Sequence, residues 1–270
     1  MTNIPAHSTS GEGGDANGKP VWIILPGLTM PPEDFVALRN ELPGEVRILD
    51  AYAQALTSPT ADVRAHLASQ SSSSAIRLVG HSTGGMAALE WLGSYPEEVD
   101  AVVLLDPSDP DGKKSSLVPG TIRHRAVSAV LGWAGRWPWL ARALARIGRK
   151  AFWSMYTREP DHLGVSDIER VWASSRALRA VWFQVFDRFA QENRVSEFFA
   201  AGKLGPESAS GQVPIRILVS EHAEPYQDSL AARLGADIIQ AGGDHVFPVL
   251  RPRETAALIV EDWPSSTRDW

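Results

Sequence analysis

The stretch Val79-Gly80-His81-Ser82-Thr83-Gly84-Gly85 constrains this chain more than any other. It sets a G-x-S-x-G pentapeptide between an apolar run ending at Leu78-Val79 and a helix-like segment from Met86 to Trp91. This arrangement predicts a strand-to-helix turn so tight that the serine hydroxyl is lifted clear of the backbone. Gly80 and Gly84 remove Cβ atoms where strand and helix nearly collide, and Ser82 is expected in a strained conformation held by that frame. Ser82 would then stand at a helix N-terminus, where amide N–H groups and the helix dipole favour negative charge.

Further apolar runs flank this turn on both sides. Val21-Trp22-Ile23-Ile24-Leu25 reads as a buried strand that stops at Pro26-Gly27, and Ala101-Val102-Val103-Leu104-Leu105 as another that ends at Asp106-Pro107. Ile215-Arg216-Ile217-Leu218-Val219 is a third. Near the C-terminus Gly242-Gly243-Asp244-His245 precedes a last helical segment, roughly 252–260. Short continuous apolar strands alternating with helices predict a parallel sheet covered on both faces.

With a serine on that turn, then acids, then a histidine, the chain resembles an α/β-hydrolase. Gly80-His81-Ser82-Thr83-Gly84-Gly85-Met86-Ala87-Ala88 is similar to the family's nucleophile elbow, and Tyr95-Pro96-Glu97-Glu98-Val99 to the exit of the helix behind it. The resemblance covers roughly 21–112 and 214–263 and does not reach the middle of the chain. It implies an α/β-hydrolase fold: a mostly parallel central sheet, helices on both faces and an inserted helical cap. The expected organisation is a disordered polar tail over 1–20, a core built from 21–112 and 212–270, and a cap over 113–211.

Composition narrows the classes. Among 270 residues there is no cysteine, which excludes disulfides, thiolate metal sites and a thiol nucleophile, and fits a cytoplasmic location. No apolar run approaches the ~20 residues needed to cross a bilayer. The first twenty residues lack the basic and apolar regions of a signal peptide. Ser69 to Ser74 reads as a low-complexity loop. The net charge of −6 hides an asymmetry. From Lys113 to Gly205 there are 16 Lys and Arg against 7 Asp and Glu, so that segment is +9 and the rest of the chain −15.

In the middle segment the strand signals stop and Trp- and Arg-rich helical patterns begin. Ser166-Asp167-Ile168-Glu169 has the form of a capping box. From there Ile168, Val171, Trp172, Leu178, Val181, Trp182, Val185, Phe186 and Phe189 recur at helical spacing and predict one long amphipathic helix. Trp139, Leu140, Ala143, Leu144, Ile147 and Ala151 form a second stripe. These aromatics either pack the insert against itself and the sheet, or some of them line an apolar acyl pocket. Lys113 to Lys150 carries nine basic residues and no acidic one, interleaved with Trp133, Trp137 and Trp139. That stretch is either a solvated helix face or a contact for an anionic membrane or an acyl-CoA. No nucleic-acid motif is present and the chain as a whole is acidic.

The resemblance implies a serine hydrolase that cleaves an ester or thioester of a small hydrophobic acyl substrate, with no cofactor and no metal. Ser82 would be the nucleophile and His245 its base. His81 would support the turn, and His222, on a strand-end loop, is a second polar candidate. The oxyanion hole would come from the main-chain N–H groups of Leu28 and Thr83, with Thr29 adding a hydroxyl or capping the loop. The acid is open. The family most often has an aspartate just after the strand represented by Ile215–Val219, but here Ser220-Glu221-His222 is followed by Ala223. Asp106 or Glu224 could replace it, as could Glu221, or the site could lack an acid. The structural reading of Asp106 is an Asp-Pro turn starter. The missing aspartate also admits a non-catalytic ligand- or partner-binding protein on the same frame. The superfamily further includes lyases, C–C hydrolases, peptidases and perhydrolases.

Overall fold

Six parallel strands form one sheet in the order β2-β1-β3-β4-β5-β6: β1 (Val21–Leu25), β2 (Val46–Ile48), β3 (Ile76–His81), β4 (Val99–Leu105), β5 (Ile215–Val219) and β6 (Asp237–Gln240). The computed structural model describes residues 20–68, 75–111, 122–222 and 224–261. The tail over 1–19, the loop from Ser69 to Ser74, the start of the insert at Lys113-Lys114, and Ala223 lie outside the described residues.

The apolar runs of the sequence are β1, β3, β4 and β5. Their alternation explains why they read as continuous. Val102 and Leu104 of β4 enter a core with Leu89, Trp91 and Leu230, while Val103 and Leu105 enter a second core with Phe35, Leu38, Phe247 and Ile259. A strand buried on both faces has no polar side to show. β2 and β6 escaped the sequence reading. β2 is three half-buried residues, and the ends of β6, Asp237 and Gln240, are exposed.

Helices α1 (Val36–Glu41), α2 (Thr60–Ala68) and α3 (Thr83–Ser94) precede the insert; α8 (Pro225–Leu234), α9 (Phe247–Leu250) and α10 (Pro252–Val260) follow it. Helices α2, α3 and α8 cover the first core, and α1, α9 and α10 the second. From β1 the chain moves out to β2, then returns to lay β3 on the other side of β1. At such a reversal the loops beyond the strand C-termini splay apart and leave a crevice.

The insert between β4 and β5 contains α4 (Ile122–Ala134), α5 (Pro138–Tyr156), α6 (Val165–Trp172) and α7 (Ser175–Ala200). It departs from the sequence reading in three ways. The expected capping box does not form: α6 starts at Val165 after Gly164, with no side-chain cap. Glu169 instead pairs with Arg142 and Arg146 of α5. The expected long helix is broken at Ala173-Ser174, where the Ser174 hydroxyl accepts the Ala177 N–H at 3.1 Å and starts α7 afresh. A serine side chain that can satisfy an orphan amide makes such a restart cheap. The stripe on α5 is also different. Its buried face is Ala141, Ala145, Arg149 and Trp153, whereas Trp139 and Ile147 are two-thirds exposed. A hydrophobic pattern misses this face because an arginine sits in the middle of it.

Helix α7 links insert and core. Val195 joins the first core, Gln191 Nε2 donates to the Leu56 carbonyl at 3.0 Å, and Arg194 pairs with Glu90 of α3 at 2.9 Å.

Candidate active site

Strand register sets up the site. Leu25 lies opposite Gly80, His81 opposite Leu105, and Leu105 opposite Leu218, so β1, β3, β4 and β5 end in one row. Among the described residues three non-glycines have positive φ, and all lie along this row: Thr29 (φ 61), Ser82 (φ 52) and Asp106 (φ 46). L-residues adopt this region at a cost of order 1–3 kcal/mol, and such strain concentrates where geometry serves function.

Ser82 sits between β3 and α3. Its N–H donates to Leu105 O at 2.9 Å, its side chain is half-buried, and its backbone stands at φ 52, ψ −119. The turn requires its glycines. A Cβ on Gly84 would lie 2.0 Å from the Leu25 carbonyl oxygen, and one on Gly80 2.5 Å from that of Gly84. Close approach of backbones therefore brings the N-terminus of α3 against the end of β1.

His245 and Asp106 meet across the row: Nδ1 to Oδ2 is 2.6 Å. The other carboxylate oxygen of Asp106 accepts Gln227 Nε2 at 2.7 Å and the Ser220 N–H at 3.3 Å. Burial alone would raise the Asp106 carboxyl, but the bonds from His245, Gln227 and Ser220 outweigh it and hold it below the usual range. Asp106 is 6% exposed. Glu224 lies elsewhere. It caps α8, its side chain accepting the Gln227 backbone N–H while Gln227 Oε1 accepts the Glu224 N–H at 2.9 Å. Glu221 is also engaged away from the histidine, accepting the Gly243 N–H at 2.9 Å and so tying the end of β5 to the turn that carries His245. His222 is exposed on the same loop, at the rim of a groove of about 790 Å³ that Tyr156, Asp244 and Arg251 also line.

The ring of His245 is sandwiched. Tyr156 of α5 lies 4.7 Å away between centroids and His81 4.9 Å. His81 is fully buried, and its Nε2–H donates to the His245 carbonyl at 2.8 Å. Burial, then the charge of His245, pushes the His81 imidazole down to about 3, so it is neutral at physiological pH. Its Nδ1 has no hydrogen-bond partner among the described residues.

The loop after β1 is pinned from the insert. Gln184 of α7 accepts the Thr29 N–H at 3.3 Å and donates to Ala51 O at 2.8 Å, while the Tyr52 hydroxyl donates to Thr29 O at 2.5 Å. The N–H groups of Leu28 and Thr83 make no backbone hydrogen bond among the described residues. They remain as donors at this edge of the sheet, with the dipole of α3 behind Thr83.

Sequence reasoning did not single out Gln227, Gln184 or Tyr156. For Gln227 a signal existed: Glu224-Pro225-Tyr226-Gln227 has an acid at a cap and glutamine three residues on, with proline at the first helical position. Gln184 and Tyr156 lie in polar–apolar helical stretches where nothing local marks them. Among the described residues no group of three or more His, Asp or Glu is placed to hold a metal ion, and no helix is long and apolar enough to cross a membrane.

Comparison with known proteins agrees with this architecture. The model of the Alpha/beta hydrolase family matches residues 22–258. An alpha/beta hydrolase fold protein from Burkholderia ambifaria is similar in structure, with a TM-score of 0.63 at 17% identity over 90% of this chain and 91% of that one. A deformylase acting on N-formylmaleamic acid, from Pseudomonas putida S16, gives 0.55 at 20% identity, over 90% of this chain and 92% of its own. A haloalkane dehalogenase variant from Bradyrhizobium elkanii gives 0.58 at 14% identity, over 91% of this chain and 89% of that one. No curated protein sequence matches the chain. Likeness at such low identity establishes the fold, and the family match spans most of the length. The parallel sheet, the strained serine turn at its edge and this match together place the chain in the alpha/beta hydrolase family.

Proposed function

We propose that this chain is a serine hydrolase that cleaves an ester or thioester of a small hydrophobic acyl substrate through an acyl-enzyme, using Ser82, His245 and Asp106 and no cofactor. The observation that carries the reading is the 2.6 Å contact between His245 Nδ1 and Asp106 Oδ2, one strand end away from Ser82. With Nδ1–H given to the carboxylate, the Nε2 lone pair is the one left to take a proton. His245 removes the Ser82 hydroxyl proton as Oγ attacks the acyl carbon. The Leu28 and Thr83 N–H groups hold the oxyanion, and the histidine returns its proton to the leaving group. Water activated by the same Nε2 then releases the acid.

Structural relatives include a dehalogenase, so reaction class needs its own argument. A hydroxyl that displaced a leaving group from saturated carbon would be left as an ether, which a histidine and water do not cleave. Attack on an acyl carbon leaves an ester, which they do. The hydroxyl at position 82 therefore favours acyl transfer. A non-catalytic binding role on this frame rests on the alanine at 223, and the Asp106–His245 contact supports the catalytic reading over it.

The test is turnover of a short p-nitrophenyl ester. A triad acid orients the histidine and stabilises its imidazolium, and losing it cost a serine protease about 10⁴ in kcat. Asp106→Asn is expected to lower kcat at least ~100-fold with little change in KM, the mark of an interaction made in the transition state. Glu224→Gln, which alters only a helix cap, is expected to cost under about tenfold. The reverse ranking moves the acid to Glu224, and a wild-type chain without turnover removes the reading.

A further inference from the structure

The far end of the insert carries a surface that the proposed chemistry does not use. Helix α5 has 19 residues, about 28 Å at 1.5 Å per residue, so its first turn is remote from Tyr156 and the His245 ring. Here Val130, Trp133, Trp137 and Trp139 are 61%, 57%, 49% and 67% exposed. The Trp133 and Trp137 rings touch edge to face with centroids 6.2 Å apart, so they form one patch. Clustered exposed aromatics of this size mark an interaction site on a folded protein.

Beside the patch a groove of about 530 Å³ is lined by Arg125, Arg136, Arg179, Ser128, Trp133 and Phe183 among others, with no acidic residue among the described ones. Arg125 and Arg136 form no ion pair or hydrogen bond among the described residues, and Arg179 Nε donates to the Ser175 carbonyl at 3.3 Å. Several other arginines of the insert are spent on carboxylates, as Arg142 and Arg146 are on Glu169 and Arg194 is on Glu90. The groove is thus a concentration of uncompensated guanidinium beside exposed indole.

We propose that this face docks on an anionic phospholipid bilayer, with Trp137 and Trp139 in the headgroup boundary and Arg125 and Arg136 on lipid phosphate. Guanidinium matches phosphate geometry, and indole rings settle where one end is apolar and the other wet. Each basic side chain near an anionic leaflet strengthens attachment about fivefold. Charge argues against a second copy of the chain on this face, because 16 basic and 7 acidic residues over 113–205 would meet their like. A small soluble phosphate would leave Trp137 and Trp139 unused.

Co-sedimentation of the full chain with vesicles tests this. Binding is expected to phosphatidylcholine vesicles containing phosphatidylglycerol and not to phosphatidylcholine alone, and it weakens as salt rises. Arg125→Gln with Arg136→Gln is expected to weaken it at least ~tenfold, two basic contacts at about fivefold each, and separately Trp137→Ser with Trp139→Ser is expected to weaken it measurably by removing the apolar anchor. All four side chains are on the surface, and unchanged circular dichroism checks that the variants fold. Ser82→Ala is expected to bind like wild type, which separates this surface from the catalytic reading. The proposal is overturned by absence of vesicle binding, by equal binding to neutral vesicles, or by binding indifferent to both pairs of substitutions. Saturable binding of inorganic phosphate without vesicle binding would assign the groove to a soluble ligand instead. Self-association lost in the tryptophan variants, again without vesicle binding, would assign the face to a second copy.

Discussion

His81 shows how one buried residue shapes this site. Burial, then the charge of His245, lowers the His81 imidazole to about 3 in the fold, whereas an unfolded chain protonates it near 6.5. The sign follows: above pH 6.5 neither state carries the proton, and between 6.5 and 3 only the unfolded state does. The neutral-state contribution is therefore complete above pH 6.5 and is lost as pH falls below it. At pH 5 the loss is about 2 kcal/mol, at 1.36 kcal/mol per unit. Denaturant unfolding of wild type and His81→Asn is expected to show a stability gap about 2 kcal/mol smaller at pH 5 than at pH 7. A gap unchanged across that interval would mean that His81 is not held neutral. At this scale the sequence was informative wherever a residue ends an apolar run. Ser82 and Asp106 both do, and His245 follows a glycine pair. The cap pattern marks Gln227 only as a helix start; its bond to Asp106 spans 121 residues, which the cap does not encode.

Elements carry the next layer of the account. Arg149 of α5, 1% exposed in its side chain, pairs with Asp34 in the loop between β1 and α1 at 2.9 Å and with Asp161 at 2.6 Å. Its guanidinium also lies 4.4 Å from the ring centre of Trp153 and 5.1 Å from that of Trp172. Burial raises the Asp34 carboxyl to about 6 despite the opposing pull of Arg149. This buried ion pair fastens the insert to the loop after β1, the one that carries Leu28. Arg149→Met leaves Asp34 buried without its cation, and removing one partner of such a pair costs about 3–5 kcal/mol. Arg149→Met with Asp34→Asn is expected to recover part of that loss, because the fully buried carboxylate is then gone and the one left without its cation, Asp161, keeps some contact with water at 19% exposure. Denaturant midpoints for the two single variants and the double decide it. Additive losses would contradict the ion-pair account. Strands were legible because a doubly buried strand is an apolar run. The insert was not: Arg149 interrupts the buried face of α5, and Ser174 divides what its apolar spacing presents as one helix.

At the scale of the whole molecule, one device organises everything. Parallel strands in register bring the β1 loop, the Ser82 turn, Asp106 and the His245 loop to one edge, and the reversal of strand order beside β1 opens the crevice there. The insert closes on that edge through Tyr156 and Gln184. The fold class was readable from the order of apolar runs and turns. The partnership of insert and core was not, since it rests on contacts between residues far apart in sequence. The central claim is that this edge activates Ser82 as a nucleophile. Fluorophosphonate labelling followed by peptide mapping tests it most directly. The account predicts one adduct, on the Ser82 hydroxyl, absent in Ser82→Ala and much slower to form in His245→Ala. A folded chain that takes no label, or takes it only on another residue, would contradict it.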